Sequence, residues 1–246
     1  MIKTIFILAL TAVAAHASDL AEQVLAEINL ARTAPQQYAQ IIAARSAGYH
    51  GVEGDRAVTE AIRFLEKASP LTPLASSQGM SSSALSHVLE MGPVGGRGHK
   101  SGNGAQPWDR MARFGKWVGG AGENIDYGVH DARGVVVRLI VDDGVSGRGH
   151  RKNIFSRDFH VAGAASGFHA TFGSMCVIDF AGGFVEAPRT CGHPRFRNGR
   201  TAVTIVISIK YRCRMYRSLT VIDHSSDPYP TPSESERTPL APFRNT

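Results

Sequence analysis

The chain has 246 residues, of which 43% are hydrophobic and 20% are charged. This composition is typical of a globular protein and excludes a collagen-like chain, a coiled coil and a wholly disordered protein. The formal net charge is +6, but eight basic residues and one acidic residue fall between positions 185 and 217. That segment accounts for more than the whole excess, so the charge does not indicate a nucleic-acid-binding domain.

The N-terminus has the three parts of a secretory signal peptide. Lys3 supplies a positive charge, residues 5–15 are apolar, and the small residues of "AHA" end at Ala17. A spanning helix needs about 20 apolar residues, which is longer than this stretch or any later one. The sequence therefore predicts a signal peptide over residues 1–17, no transmembrane segment, and a protein secreted to the extracellular space or the periplasm.

The chain has three cysteines, Cys176, Cys191 and Cys213. Export permits disulfides, but three thiols form at most one pair, and the sequence does not decide which pair forms. Cys176 lies in the apolar run "MCVIDF". This context predicts a buried thiol that packs as a small apolar side chain.

Apolar residues spaced three and four apart predict several helices in the N-terminal half. The first runs from Leu20 to about Arg32, and Pro35 either ends it or begins a second short helix. A third covers residues 57–68, and a longer one covers residues 74–92. The candidate core positions of the longer helix are Leu74, Met80, Leu85, Val88 and Leu89.

Glycine-rich segments separate the elements of the second half. Residues 92–104 predict a loop, residues 107–114 a short helix, and residues 117–122 a glycine-rich turn. The run "DARGVVVRLIVDD" fits either a helix capped by Asp131 or a buried strand, and its periodicity does not decide between them.

Two strands and a tail complete the predicted order of elements. Residues 159–166 and 174–180 predict strands, and "TAVTIVISIKY" further on has strong β-propensity. From His224 onward the chain is rich in serine and proline and cannot bury enough apolar surface to fold. We therefore expect a folded domain over residues 18–184 and a largely disordered tail over residues 185–246, basic first and then Pro/Ser-rich.

Common catalytic motifs are missing from the sequence. It has no G-x-S-x-G nucleophile elbow, no HExxH zinc helix, no P-loop and no paired CxxC, which disfavours α/β-hydrolases, common metalloproteases, nucleotidases and zinc ribbons. His130, His160 and His169 belong to no motif, and we expect them to be exposed. The polar residues that stand in glycine-bounded segments are His99, Glu123, Asp142, Asp143 and His150.

Imidazole and carboxylate groups together suit two kinds of site. Both are ligands that zinc accepts in proteins. They equally form hydrogen-bonded networks that need no metal. The residue types alone leave this choice open.

Three motifs give the chain a resemblance to a known family. "INLARTAP", with Asn29 and Arg32 three apart, resembles a first-helix pattern, "GAGENIDYG" a G-E-N segment, and "RGHRKNIFSRDFHVAGAASG" the bacterial form G-H-R-x-N-I. The chain is thereby similar to the CAP superfamily of cysteine-rich secretory, antigen 5 and plant pathogenesis-related group 1 proteins, also called the SCP domain. The resemblance extends from about Leu20 to Phe184. It implies an α+β fold, an α-β-α sandwich with a central antiparallel sheet.

The resemblance also implies a central cleft in which two histidines and two acids can bind a divalent cation, often zinc. His99, Glu123 and His150 then take the places of the first histidine, the glutamate of G-E-N and the second histidine. The fourth member is usually a glutamate late in the preceding helix. Asp142 and Asp143 stand in that region here, and Asp142 is preferred.

The sequence leaves two functions open for this cleft. The favoured one is a secreted binding module that holds a divalent cation, zinc first, or a small apolar, lipid-like ligand, since the family includes sterol and lipid binders and no activated nucleophile is visible. The alternative is a metal-assisted hydrolase, a peptidase or esterase, with Glu123 or His150 as general base. Independently, the basic residues from Arg189 to Arg217 suit attachment to anionic cell-surface polymers or membranes, or form a solvated tail.

Overall fold

The computed structural model describes residues 20–46 and 51–188, together with the backbone of two short strands, Thr204–Ile207 and Arg217–Thr220. The chain divides into two units, Met1–Arg189 and Thr190–Thr246. In the second unit the two short strands pair antiparallel, and the first of them lies in the run predicted to favour β-structure. The predicted signal peptide, Cys191, Cys213 and most of the predicted disordered tail lie outside the described residues.

Seven helices and four strands make up the described part of the first unit. The helices are α1 (20–33), α2 (Pro35–Arg45), α3 (Asp55–Lys67), α4 (Gln78–Met91), α5 (Pro107–Met111), α6 (Ala132–Val141) and α7 (Gly149–Ile154). The strands are β1 (Ala75–Ser76), β2 (Gly115–Tyr127), β3 (Val161–His169) and β4 (Gly173–Glu186). None of the helices in the described part of the chain has the length and hydrophobicity that crossing a membrane requires.

The four strands form one sheet in the order β1-β3-β4-β2. β4 pairs antiparallel with both β2 and β3, and the short β1 adds parallel to β3. The main apolar core lies between one face of the sheet and α1, α2, α3, α6 and α7, and a smaller core lies between the other face and α4. The predicted α-β-α sandwich is confirmed, and its sheet is antiparallel as predicted except for the short strand β1.

Local chemistry explains the helix ends that the sequence predicts. Pro35 opens α2, where the missing N–H costs nothing because the first turn has no partner for it. The carboxylate of Asp131 accepts a hydrogen bond from the amide of Gly134 and caps α6. The apolar run after Asp131 is therefore a helix and not a strand.

The fourth helix differs from its prediction at its start and in its core. It begins at Gln78, because the Ser77 hydroxyl caps it by accepting from the amide of Met80 and the two residues before Ser77 pair with β3. Leu89 was expected in the core, but it is 61% exposed. It lies on the outward side of α4, while Val88 packs against the sheet.

The turn predicted over residues 117–122 is wrong, because these residues continue β2. The register shifts between Val118 and Ala121, so two residues of β2 stand opposite Gly182 of β4. Gly119 has φ +74°, a conformation that L side chains rarely adopt. The strand therefore contains a bulge whose glycines resemble a turn in the sequence.

α4 packs directly on β3 at a point where only glycine fits. A Cβ atom on Gly163 would lie 2.2 Å from the amide nitrogen of Ser81 and 2.5 Å from the carbonyl carbon of Met80.

On the same sheet, β4 continues to Glu186, and Cys176 within it is 2% exposed. The predicted burial of this thiol is confirmed.

Candidate functional site

A first histidine–carboxylate pair joins the loop between α4 and α5 to the strand β2. Nδ1 of His99 lies 2.8 Å from Oε1 of Glu123. Because an ionised carboxylate only accepts hydrogen bonds, the proton of this contact is on Nδ1. The Glu123 side chain is 1% exposed and the His99 side chain 48%, so a buried carboxylate holds a ring that reaches solvent.

Arg110 on α5 supplies the positive charge that Glu123 needs. The arginine is fully buried, and its Nη2 donates to Oε2 of Glu123. Its Nη1 donates to the carbonyl oxygen of His99 at 2.8 Å and to the hydroxyl of Ser101 at 3.3 Å. A buried carboxylate without such a partner is strongly destabilising. Arg110 therefore stabilises the charge of Glu123 and fixes the backbone of His99.

Buried side chains also hold the loop between α4 and α5. Nε2 of His87 on α4 donates to the carbonyl oxygen of Gly98 at 2.9 Å, and the hydroxyl of Tyr127 accepts from the amide of Gly98. Nε2 of His169 donates to the carbonyl oxygen of Gly96 at 2.9 Å. His169 is fully buried, so the expectation that it is exposed is wrong. Its ring closes the loop onto the end of β3.

A second carboxyl group faces Glu123 from β4. Asp179 stands opposite Glu123 in the β2–β4 ladder and is fully buried, and neither of its oxygens has a hydrogen-bond partner among the described residues. Burial, together with the negative charge of Glu123, raises the pKa of Asp179 well above its ordinary range. The raised pKa favours the uncharged form of Asp179, so the positive charge of Arg110 serves Glu123.

A second histidine–carboxylate pair lies at the junction of α6 and α7. Nδ1 of His150 lies 2.6 Å from Oδ1 of Asp142. Oδ2 of Asp142 accepts from the backbone amides of His150 at 2.8 Å and Arg151 at 3.3 Å. The Asp142 side chain is 1% exposed and the His150 side chain 25%. As in the first pair, a buried carboxylate orients a ring that solvent can reach.

Asp143 points to a different element from its neighbour Asp142. Its carboxylate oxygens accept from the amides of Val52 at 2.6 Å and Glu53 at 2.8 Å, just before α3. The Glu53 carboxylate in turn accepts from the amide of Gly144 at 3.0 Å. Asp142 is thus the acid that contacts His150, and Asp143 ties the loop after α6 to the start of α3.

The two histidine–carboxylate pairs, His99–Glu123 and His150–Asp142, are called the dyads below. Glu123 and its neighbour Asn124 project from opposite faces of β2, because successive side chains of a strand alternate in direction. Asn124, next to Glu123, donates to the carbonyl oxygen of His150 at 3.0 Å. Within residues 20–46 and 51–188, no group of three or more His, Cys, Asp or Glu side chains is close enough to hold a metal ion. The five predicted site residues therefore form two dyads and one separate contact at Asp143.

Asn153 connects the surroundings of the dyads. Its side-chain amide donates to the carbonyl oxygen of Glu123 at 3.3 Å and to Oδ1 of Asn124 at 2.9 Å. Since Asn153 belongs to α7, this amide fixes the short helix against β2. The positions of both dyads thus depend on the same stretch of strand.

Comparison with known proteins gives one match to a protein family. The family model described as "CAP: Cysteine-rich secretory protein family" matches residues 25–180. The chain belongs to the CAP family. The resemblance inferred from the three motifs is thereby confirmed. A search of curated proteins gives no match.

Three solved structures are similar to parts of the chain, and two of them are described as SCP-domain or cysteine-rich secretory proteins. An extracellular protein containing an SCP domain from Bacillus anthracis shares 24% identity, covers 45% of this chain and 34% of its own, and has a TM-score of 0.36. An outer surface protein from Borrelia burgdorferi shares 15% identity, with 54% and 96% coverage and a TM-score of 0.40. A cysteine-rich secretory protein from Staphylococcus aureus shares 11% sequence identity. The match covers 55% of this chain and 42% of the Staphylococcus protein, with a TM-score of 0.33. The chain thus spans about a third of the Bacillus protein, and the family assignment rests on the family model.

Sequence reasoning missed a buried acid beside the second dyad of this CAP domain. Asp126 is 5% exposed, and its Oδ2 lies 3.3 Å from Nε of Arg138. Burial raises the pKa of Asp126 to about 6, against the opposing effects of Arg138 and His150. Asp126 stands two residues after Asn124, and that spacing places both on the face of β2 that α7 covers.

Removal of Arg110 should destabilise the CAP domain through Glu123. In Arg110→Met the carboxylate stays buried without its cation, so we expect the free energy of unfolding at pH 7 to fall by about 3 to 5 kcal/mol, measured by urea denaturation. Arg113→Met is the matched control, because Arg113 is exposed. The double variant Arg110→Met/Glu123→Gln should recover part of the loss. Equal losses in Arg110→Met and Arg113→Met would contradict the assignment of a buried ion pair.

The stability of Asp126→Asn relative to wild type should depend on pH. The pKa of Asp126 is higher in the folded chain, about 6, than in the unfolded chain, about 3.9. Wild type therefore loses stability as the pH rises from about 4 through 6, by up to about 2 to 3 kcal/mol, and the asparagine variant does not. Denaturation at pH 4 and pH 8 should show the difference growing in favour of Asp126→Asn. The exposed control Asp158→Asn should show no such growth. If the difference in free energy of unfolding between Asp126→Asn and wild type stays constant or shrinks, the raised pKa of Asp126 is refuted.

Proposed function

We propose that this CAP-family chain is an exported binding module whose dyads hold a divalent cation or a small, lipid-like ligand. One observation carries the proposal. Both rings direct Nδ1 to a buried carboxylate, and neither Nε2 has a hydrogen-bond partner among the described residues. A carboxylate behind a histidine fixes its tautomer and makes the other ring nitrogen a better metal ligand.

An imidazole nitrogen is a donor that zinc accepts in proteins, and each dyad offers one such atom, Nε2. The carboxylates act behind the rings, since Glu123 is engaged by His99 and Arg110, and Asp142 by His150 and the amide of Arg151. A cation held at either Nε2 therefore takes its remaining ligands from water or from a bound molecule. In this arrangement the protein orients the donor, and an external ligand completes the coordination.

The hydrolase alternative stays a separate prediction. In it, Glu123 or His150 would act as general base toward a water molecule. Glu123 already binds a buried arginine and a histidine, so it has less freedom to accept a proton than His150 has at Nε2. Peptide and ester turnover that is lost in His150→Ala would favour the enzyme over the binding module.

Export is the second part of the proposal. It rests on the charged, apolar and small-residue parts of the first 17 residues, and on membership in a family described as secretory. Attachment of the basic segment to anionic cell-surface polymers stays a prediction, because the side chains of its basic residues are not described. N-terminal sequencing of the protein recovered outside the cytoplasm should begin at Ser18. An N-terminus that retains Met1 would contradict export by cleavage.

Titration with zinc tests the binding proposal. We expect calorimetry to show binding to wild type, and loss of the corresponding binding event in His99→Ala and in His150→Ala. Asp142→Asn keeps the ring but removes the carboxylate behind it, so zinc affinity at His150 should fall by about 10- to 100-fold. His130→Ala, an exposed histidine outside the dyads, is the matched control. The proposal fails if wild type and the double variant His99→Ala/His150→Ala titrate alike.

A further inference from the structure

α7 carries His150 but is too short to hold its own position. It has six residues, and isolated helices of that length are unstable in water. Its start is held by Asp142, and its end by Arg32, whose Nη1 donates to the carbonyl oxygen of Ile154 at 2.7 Å. A third set of contacts comes from α3, an element that contributes no residue to either dyad.

Arg148 makes most of these contacts with α3 and the segment before it. Its Nη1 and Nη2 donate to the two carboxylate oxygens of Glu53 at 2.6 and 2.9 Å, and its Nε donates to Oε2 of Glu60 at 2.8 Å. Nη1 also donates to the carbonyl oxygen of Asp142 at 2.8 Å. Only the planar fork of an arginine can bind two carboxylates and a carbonyl in this way.

The backbone of Arg148 supports the importance of its side chain. Its φ is +54°, a left-handed conformation that is sterically unfavourable for a residue with a Cβ atom. The glycines on either side would adopt it more easily. Such a conformation persists where the surroundings determine it, and here the surroundings are the two carboxylates that bind the guanidinium.

Glu60 extends the contact to the other side of His150. Its Oε2 accepts from Arg148, and its Oε1 accepts from Nη1 of Arg151 at 3.0 Å. Arg151 is buried, and its Nη2 donates to the carbonyl oxygen of Val141 at 3.0 Å. One carboxylate of α3 thus holds the arginines that flank the dyad histidine.

We propose that Arg148 is a positioning residue for the His150–Asp142 dyad. By binding Glu53 and Glu60 it fixes the segment between α6 and α7, and so keeps the ring of His150 on Asp142 with Nε2 directed away. The inference rests on the proposed function for the use of that nitrogen. The contact between His150 and Asp142 can be tested in the absence of a cation, and so independently of that function. The His99–Glu123 dyad, which Arg148 does not touch, is an internal reference.

The test compares full-length Arg148→Lys, Arg148→Gly and Glu60→Gln with wild type, and uses Glu66→Gln, an exposed acid of the same helix, as matched control. NMR of the imidazole nitrogens at pH 8 reports which nitrogen carries the proton. In wild type and in Glu66→Gln we expect both dyad histidines to be protonated on Nδ1. In the three test variants His150 should shift toward the Nε2-protonated form, while His99 keeps its signal and shows that the fold is intact.

Two results would overturn the inference. The first is a wild-type signal of His150 in Arg148→Lys and Arg148→Gly. The second is an equal shift of His99 and His150 in all three variants, which would indicate general loosening. If Arg148→Gly alone fails to fold, Arg148→Lys and Glu60→Gln decide between the same outcomes.

Zinc titration separates this inference from the proposed function. Zinc affinity at His150 should fall by about tenfold in Arg148→Lys, with His99 unaffected. Absence of zinc binding in wild type, together with a shifted His150 tautomer in the variants, would remove the proposed function and leave the positioning role intact. Normal zinc binding to wild type, with no tautomer shift of His150 in the variants, would refute the positioning role and leave the proposed function intact.

Discussion

The carboxylate of Asp142 is the contact on which α7 and the second dyad both depend. The start of a helix leaves amide groups unpaired and favours a negative charge, and Asp142 accepts two of those amides as well as the ring of His150. The family pattern leads one to expect a glutamate in this region. Asp142 follows α6 directly in a left-handed conformation with φ +54°, which turns its side chain toward α7. The shorter acid therefore reaches the histidine because of its backbone conformation.

The elements that the sequence predicted well are those whose signals are local. α1 and α3 carry apolar residues at helical spacing, and Pro35 marks the start of α2. The run that forms α6 fits a helix or a strand in the sequence, and the cap by Asp131 is what identifies it as a helix. The misassigned elements depend on distant partners. Residues 75–76 are a strand only because β3 lies beside them, and the glycine-rich start of β2 is a strand only because β4 pairs with it across a bulge.

In the candidate site too, local motifs identify residues, whereas the contacts between them depend on the fold. Motifs identified His99, Glu123 and His150, and order along the chain suggested an acid near position 142. The pairing of each ring with one acid follows from the way the fold brings loops, helices and β2 together. No motif marks Arg110 or Asp179 in the sequence, because their importance comes from complete burial beside Glu123.

The bulge in β2 has a consequence for the behaviour of the protein at high concentration. β2 stands at one end of the described sheet, and an exposed strand edge offers unpaired backbone groups to a neighbouring molecule, a common route to aggregation. The one extra glycine of the bulge interrupts the even spacing that an incoming strand requires, and the exposed Lys116 adds a charge to the same stretch. The irregularity that disguises this strand in the sequence thus protects the sheet from being extended by another copy.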